Sequence, residues 1–182
     1  AKNTDHDRLF VESLIEAITS DPHWNNGSYR SHLDVQAGLK RHARLWSVMG
    51  WSTEFYATER WREFNFTSCE QFHREFMEPF FTPLDPNSLL CMARKWQDGD
   101  VTRITGGSLE AALGRITAHT FVMPISTDMF FKVEDCAREQ PLIKNSQLRV
   151  LNSVGGHLGL FGFEPEFLAA LDANLRDLLA LK

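Results

Sequence analysis

His119–Thr127, HTFVMPIST, and Gln147–Val154, QLRVLNSV, decide the fold. Both are dense in β-branched and long apolar residues and both stop at small polar groups, the pattern of strands of about six residues buried on two faces. Val133–Leu142, VEDCAREQPL, lies between them and reads as a helix long enough for a crossover. A βαβ unit follows, and the amphipathic stretch Glu164–Leu181 closes it as a covering helix. In an open parallel sheet the C-terminal strand ends share one edge, where ligands and catalytic groups collect. Asp128 follows the first strand, and His157 follows the second after Gly155-Gly156. Placed there, the two read as an acid–base pair. The competing reading makes Asp128 a turn former and His157 an ordinary loop residue. Gly155-Gly156 favours the first, because it allows the tight turn that presenting a side chain needs.

Upstream of the strands the pattern is helical. Thr4 is placed to cap a helix whose first turn holds Asp5 and Asp7, with Phe10, Val11, Leu14, Ile15 and Ile18 on one face. Asp21-Pro22 ends it, and Asn25–Gly27 marks a turn. Residues 33–50 resume helical spacing, and Ser52, Ser68 (with Gln71 as a capping box) and Ser108 are each placed to cap a further helix. Trp46–Trp96 holds 12 of the 21 aromatic residues and almost no strand pattern, as expected of a helical subdomain between a leading helix and the terminal βαβα, with most aromatics filling its core and a few lining a tunnel above the sheet edge. The expected division is residues 1–30 as a segment of an α/β core, 31–116 as a helical lid and 117–182 as the C-terminal βαβα part of the core. Two strands, with at most a stub at Ala1–Thr4, do not complete a parallel sheet. The remaining strands are expected from another polypeptide or from an earlier part of a longer protein.

The 182 residues carry a net charge of −5, with 43% apolar and 24% charged residues, which are globular values. No Lys/Arg block is present, which argues against nucleic acid and anionic membrane as partners. No apolar run approaches ~20 residues, and AKNTDHDRLF has no apolar core of a signal peptide. Cys69, Cys91 and Cys136 are odd in number and unpatterned, as suits a reducing cytoplasm, where the protein is expected. The histidines show no metal-ligand spacing, so no metal site is expected.

An acid and then a His at successive strand ends is the second half of the hydrolase order Ser…Asp…His. No G-x-S-x-G elbow accompanies them. Ser52 in GWSTE and Ser108 in GGSLE come nearest, but each precedes a helix without a strand before it and reads as an N-cap. Cys69 lies in the helical subdomain, and Cys91, within LLCMA, reads as core. The nucleophile is therefore expected outside this chain.

Asp21–Tyr29, DPHWNNGSY, resembles the D-P-x-W-x-x-G-x-Y segment of homoserine O-acetyltransferases and their close relatives in the α/β-hydrolase superfamily. GLKRHARLWSVMGW resembles their first lid helix, KWQDGDV their last lid turn, GRITAHTFVMPISTDMFF the acid-bearing strand and turn, and SVGGHLGLFG the loop carrying the His. The resemblance covers nearly all of the chain. It implies the C-terminal portion of an α/β-hydrolase fold with a helical lid insertion, and a serine-nucleophile enzyme whose catalytic Asp and His are Asp128 and His157. It further implies acetyl transfer from acetyl-CoA, as co-substrate rather than bound cofactor, to the hydroxyl of a small-molecule acceptor. The expected partners are an N-terminal half of the same protein or a second copy met through the lid. Arg44, Trp51 and Leu158 are the candidate substrate-binding residues. Arg44 fits the family's lid Arg, whereas Trp51 stands where a Tyr is usual and Leu158 where an Asp holds the acceptor's amino group. Those departures leave ester hydrolysis as the alternative reaction. A non-catalytic remnant that binds a partner through its sheet edge is the alternative outside enzymology.

Overall fold

Thr120 donates its N–H to the Asn145 carbonyl and Ser126 donates to that of Leu151, both at 2.9 Å, so the even-numbered positions of the first strand are the ones turned to the second. Pro124 falls on that series and has no N–H to give. A computed structural model describes residues 1–181, and in it the regular strands are accordingly short. The strands are β1 (Thr120–Val122) and β2 (Ser146–Leu148), parallel, with Thr120 opposite Ser146 and Val122 opposite Leu148. Pairing resumes past the proline as a single parallel bridge between Ile125 and Leu151. The expected six-residue strands are thus interrupted.

In chain order the helices are α1 (Asp5–Thr19), α2 (Gln36–Gly50), α3 (Thr53–Ala57), α4 (Cys69–Phe72), α5 (Glu78–Phe81), α6 (Pro86–Gln97), α7 (Leu109–Leu113), α8 (Val133–Glu139) and α9 (Pro165–Ala180). A π-helical turn, His73–Met77, joins α4 to α5. The crossover between β1 and β2 runs through α8, and α9 covers the sheet. Phe167 from α9 meets Ile125 and Leu151 in a buried cluster that Met123, Ala170 and Leu171 extend. Together with residues 1–2 and 50–55, the chain from Asp100 onward makes one compact unit, which is a partial α/β fold.

Asn3–Met49 and Tyr56–Gly99 make the second unit, which is helical. α1 opens on a capping box: Asp7 N–H reaches Thr4 Oγ1 at 3.2 Å and the Asp7 carboxylate accepts Thr4 N–H at 2.8 Å. Its buried face is Phe10, Val11, Leu14, Ala17 and Ile18. Asp21 ties α2 to the end of α1, accepting the N–H groups of His23 (3.0 Å) and Gly38 (2.7 Å). Ile18, Val35, Leu39 and Leu90 then share one cluster, while Phe10, Trp46, Phe81 and Trp96 share another through ring contacts. These contacts place α1 with the helices and not with the strands. Gln71 accepts from Thr67 N–H instead of returning a bond to Ser68, so that box is one-sided. Cys91 is exposed, because Leu90 and Ala93 define the buried face of α6. Among the described residues no helix is long and apolar enough to cross a membrane.

Candidate active site

Past Ser126 the backbone ladder gives way to side-chain hydroxyls. Ser126 Oγ and Thr127 Oγ1 donate to the Ser153 carbonyl at 3.2 and 2.8 Å, and Ser153 N–H returns to Ser126 Oγ at 3.2 Å. Thr127 Oγ1 also accepts Gly156 N–H at 3.1 Å. The two strand ends are thereby held side by side where backbone pairing has stopped. Asp128 follows directly on one and His157 closely on the other.

His157 Nδ1 lies 2.9 Å from Asp128 Oδ2, although 29 positions separate the residues. Asp128 Oδ1 accepts the N–H groups of Phe130 at 2.8 Å and Phe131 at 3.1 Å, which fixes the carboxylate plane. Burial pushes the Asp128 carboxyl up, but the hydrogen bond and charge of His157 and the two backbone N–H groups outweigh it and hold it below the usual range. An ionised carboxylate only accepts, so this bond calls for the tautomer with N–H at His157 Nδ1. The Asp128 side chain is 4% exposed and that of His157 18%, so the pair is shielded but not sealed. Phe130 meets the imidazole edge-to-face at 5.3 Å and 87°, and Phe131 lies at 5.6 Å. This is the geometry of an oriented general base.

The loop before the imidazole is held tightly. Gly156 has φ +63°, and a Cβ there would stand 2.6 Å from Ser52 N and 2.9 Å from Gly50 O. Ser52 Oγ donates to the Val154 carbonyl at 2.5 Å and accepts Phe55 N–H at 2.9 Å, so it caps α3 and ties down the loop. On the other side Glu164 Oε1 accepts from Ser153 Oγ, Val154 N–H and Gly155 N–H at 3.0, 3.2 and 3.1 Å.

The remaining candidates are placed as follows. Trp51 is 1% exposed and stacks on Phe55 with ring centroids 4.1 Å apart, and Leu158 is buried in the 3-10 turn Gly156–Phe161. Arg44 belongs to the helical unit, where both terminal guanidinium nitrogens sit 3.2 Å from the Glu70 carboxylate. Ser108 caps α7 through Ala111 N–H at 3.1 Å, as its position predicted. Among the described residues no three His, Cys, Asp or Glu side chains converge as a metal-ligand set. Sequence reasoning missed Phe130 and Phe131, the Ser126–Thr127–Ser153 hydroxyls and Glu164. The available pointer to the first pair was Asp128, two positions before Phe130 and three before Phe131, the spacing of an Asx turn.

No protein-family model matches the chain. It is 56% identical over 180 residues to an ethyl acetate hydrolase of Pseudomonas veronii, covering 99% of this chain and 52% of that protein. With a probable esterase of Corynebacterium glutamicum the identity is 52% over 178 residues, covering 98% and 51%. A homoserine O-succinyltransferase of Neisseria meningitidis is 30% identical over 186 residues, covering 92% and 48%. Among solved structures, the acetyl esterase MekB superposes with TM-score 0.97 at 56% identity, over 100% of this chain and 52% of that one. Homoserine O-acetyltransferase from Bacillus anthracis superposes with TM-score 0.82 at 20% identity, over 100% and 51%, a likeness of fold. The chain spans about half the length of the curated relatives it matches. Its homologues at 52–56% identity are thus esterases, and the acyltransferase likeness is more distant.

Proposed function

We propose that this chain is the C-terminal part of an α/β-hydrolase-type esterase acting on small acetyl esters, and that it supplies the Asp and His of a Ser-His-Asp triad. The observation that carries the reading is the 2.9 Å contact of His157 Nδ1 with a carboxylate that two backbone N–H groups already orient. The homologues named above support hydrolysis over acyl transfer. So do Leu158, where an acceptor-binding Asp is usual in homoserine acetyltransferases, and the engagement of Arg44 by Glu70.

In this mechanism a serine hydroxyl outside the chain attacks the ester carbonyl as His157 Nε2 takes its proton. The tetrahedral intermediate collapses, the C–O bond to the alcohol breaks, and the imidazolium returns that proton to the leaving alkoxide. Water then attacks the acyl-enzyme with His157 again as base, releasing the acid and the free serine. Asp128 stays ionised throughout and holds the tautomer that leaves Nε2 able to accept.

The test uses the full-length protein with ethyl acetate and p-nitrophenyl acetate. Asp128→Asn is expected to lower kcat by about 10⁴, because the amide favours the wrong tautomer, and His157→Ala by a comparable or larger factor. The double variant should be little worse than His157→Ala, since the two residues act as one unit. Full activity in either single variant rejects the triad. Rapid acetyl-CoA-dependent acetylation of homoserine, faster than ester hydrolysis, rejects the esterase assignment.

A further inference from the structure

We propose that Glu164 is a positioning residue for His157: its carboxylate oxygen Oε1 gathers Ser153 Oγ, Val154 N–H and Gly155 N–H and so sets the loop that carries the imidazole onto Asp128. The proposal rests on the esterase reading above. Glu164 occupies the N-cap position of α9, yet its side chain makes no cap bond there. A carboxylate at that position ordinarily serves its own helix. Here one oxygen is turned back onto three donors of the preceding loop. The loop needs such a hold. It contains Gly155, Gly156, Gly159 and Gly162, whose backbones have wide conformational freedom. From the opposite side it is met by Thr127 Oγ1 and Ser52 Oγ. The three fixings enclose residues 153–156, and His157 is the next residue. Glu164 is the member that gathers three donors on one oxygen.

Position and charge are separable. Gln at 164 keeps the reach and a carbonyl oxygen, whereas Asp keeps the charge but is one methylene too short for contacts of 3.0–3.2 Å. In the full-length protein, steady-state hydrolysis of p-nitrophenyl acetate should separate the variants. Glu164→Ala and Glu164→Asp should each lose about 10²-fold in kcat, the usual effect of a displacement near 1 Å, with KM nearly unchanged. Glu164→Gln should restore kcat to within several-fold of the natural protein. The low-field NMR resonance of the imidazole Nδ1–H should persist in Glu164→Gln and be lost or broadened in the other two. An active Asp variant beside an impaired Gln variant overturns the proposal, as do wild-type kcat and an unchanged resonance in all three. Should the Ala variant fail to fold, the Asp and Gln pair decides. His157→Ala assayed alongside keeps the two claims apart. If it is fully active, the esterase reading falls, and the resonance alone decides whether Glu164 sets the imidazole.

Discussion

Gly156→Ala measures how closely the His157 loop is seated, because a second glycine provides the control. Gly156 and Gly106 have nearly the same φ, at +63° and +62°. A Cβ at Gly106 would meet nothing within 4 Å, whereas one at Gly156 would stand 2.6 Å from Ser52 N, 2.9 Å from Gly50 O and 2.9 Å from the Trp51 carbonyl carbon. Left-handed strain is common to both substitutions and costs about 1–2 kcal/mol. The obstructing atoms at Gly156 are backbone and cannot rotate away. The loop must therefore move by about 0.8 Å to restore an ordinary contact near 3.4 Å. Gly106→Ala should thus lose about 1–2 kcal/mol in urea unfolding and keep its kcat. Gly156→Ala should lose a further ~2 kcal/mol and about 10²-fold in kcat toward p-nitrophenyl acetate. Equal stability losses in the two variants, or undiminished kcat in Gly156→Ala, would refute the argument from seating.

Ser52→Ala removes a helix cap and a loop tie, so about 1 kcal/mol of stability and no more than about tenfold in kcat should be lost. A loss near 10⁴ would instead mark Ser52 as the nucleophile. His42 is buried, receives Trp46 Nε1–H at 3.1 Å and faces the Leu14 carbonyl at 3.3 Å; burial lowers its pKa to about 4. An unfolded His titrates near ~6.5, so between the two values the unfolded chain binds the extra proton and stability falls as pH falls. From pH 7.5 to pH 5 this residue should remove about 2 kcal/mol, a slope that His42→Leu, though less stable overall, should lack in chemical denaturation. Phe167→Ala, emptying the cluster beneath α9, should cost about 3–5 kcal/mol by the same measurement, and a loss under 1 kcal/mol would contradict the packing.

Much of the candidate site was legible because it depends on strand ends. Apolar runs located both strands, the small polar groups located their termini, and parallel topology brought Asp128 and His157 to one edge. The residues that do the holding were not legible. Glu164 looks like the start of a helix, and its use ten positions back depends on the course of a glycine-rich loop that composition does not specify. Cys91 was misread for a different reason. LLCMA is apolar on every face, so the run gives no helical phase, and the phase follows only from what Leu90 and Ala93 pack against. α1 carries an amphipathic face that fits either unit. Phe10 and Ile18 meet Trp46, Trp96, Leu39 and Leu90, contacts too distant in sequence for periodicity to assign.

Pro124 connects these observations. By withholding one N–H it interrupts the ladder two residues before Ser126, just where the strands approach the acid and the base. With a residue bearing an N–H there, regular pairing would run unbroken from β1 to Ser126, whose N–H already meets the Leu151 carbonyl, and with it the pleat that sends successive side chains to opposite faces. What replaces the ladder beyond Leu151 is hydroxyl chemistry. Ser126 and Thr127, adjacent in sequence, both reach the single carbonyl of Ser153, which successive residues of a regular strand could not do. Beyond them the first strand end turns, with Asp128 N–H on the Ile125 carbonyl at 3.1 Å, and the Asp128 carboxylate meets His157 Nδ1 of the second. Thr127 Oγ1 then passes the restraint on to Gly156 N–H, one residue before His157. Asp128 and His157 are thus registered through side chains at the strand ends, where regular strand backbone would have directed them by the alternation of the pleat.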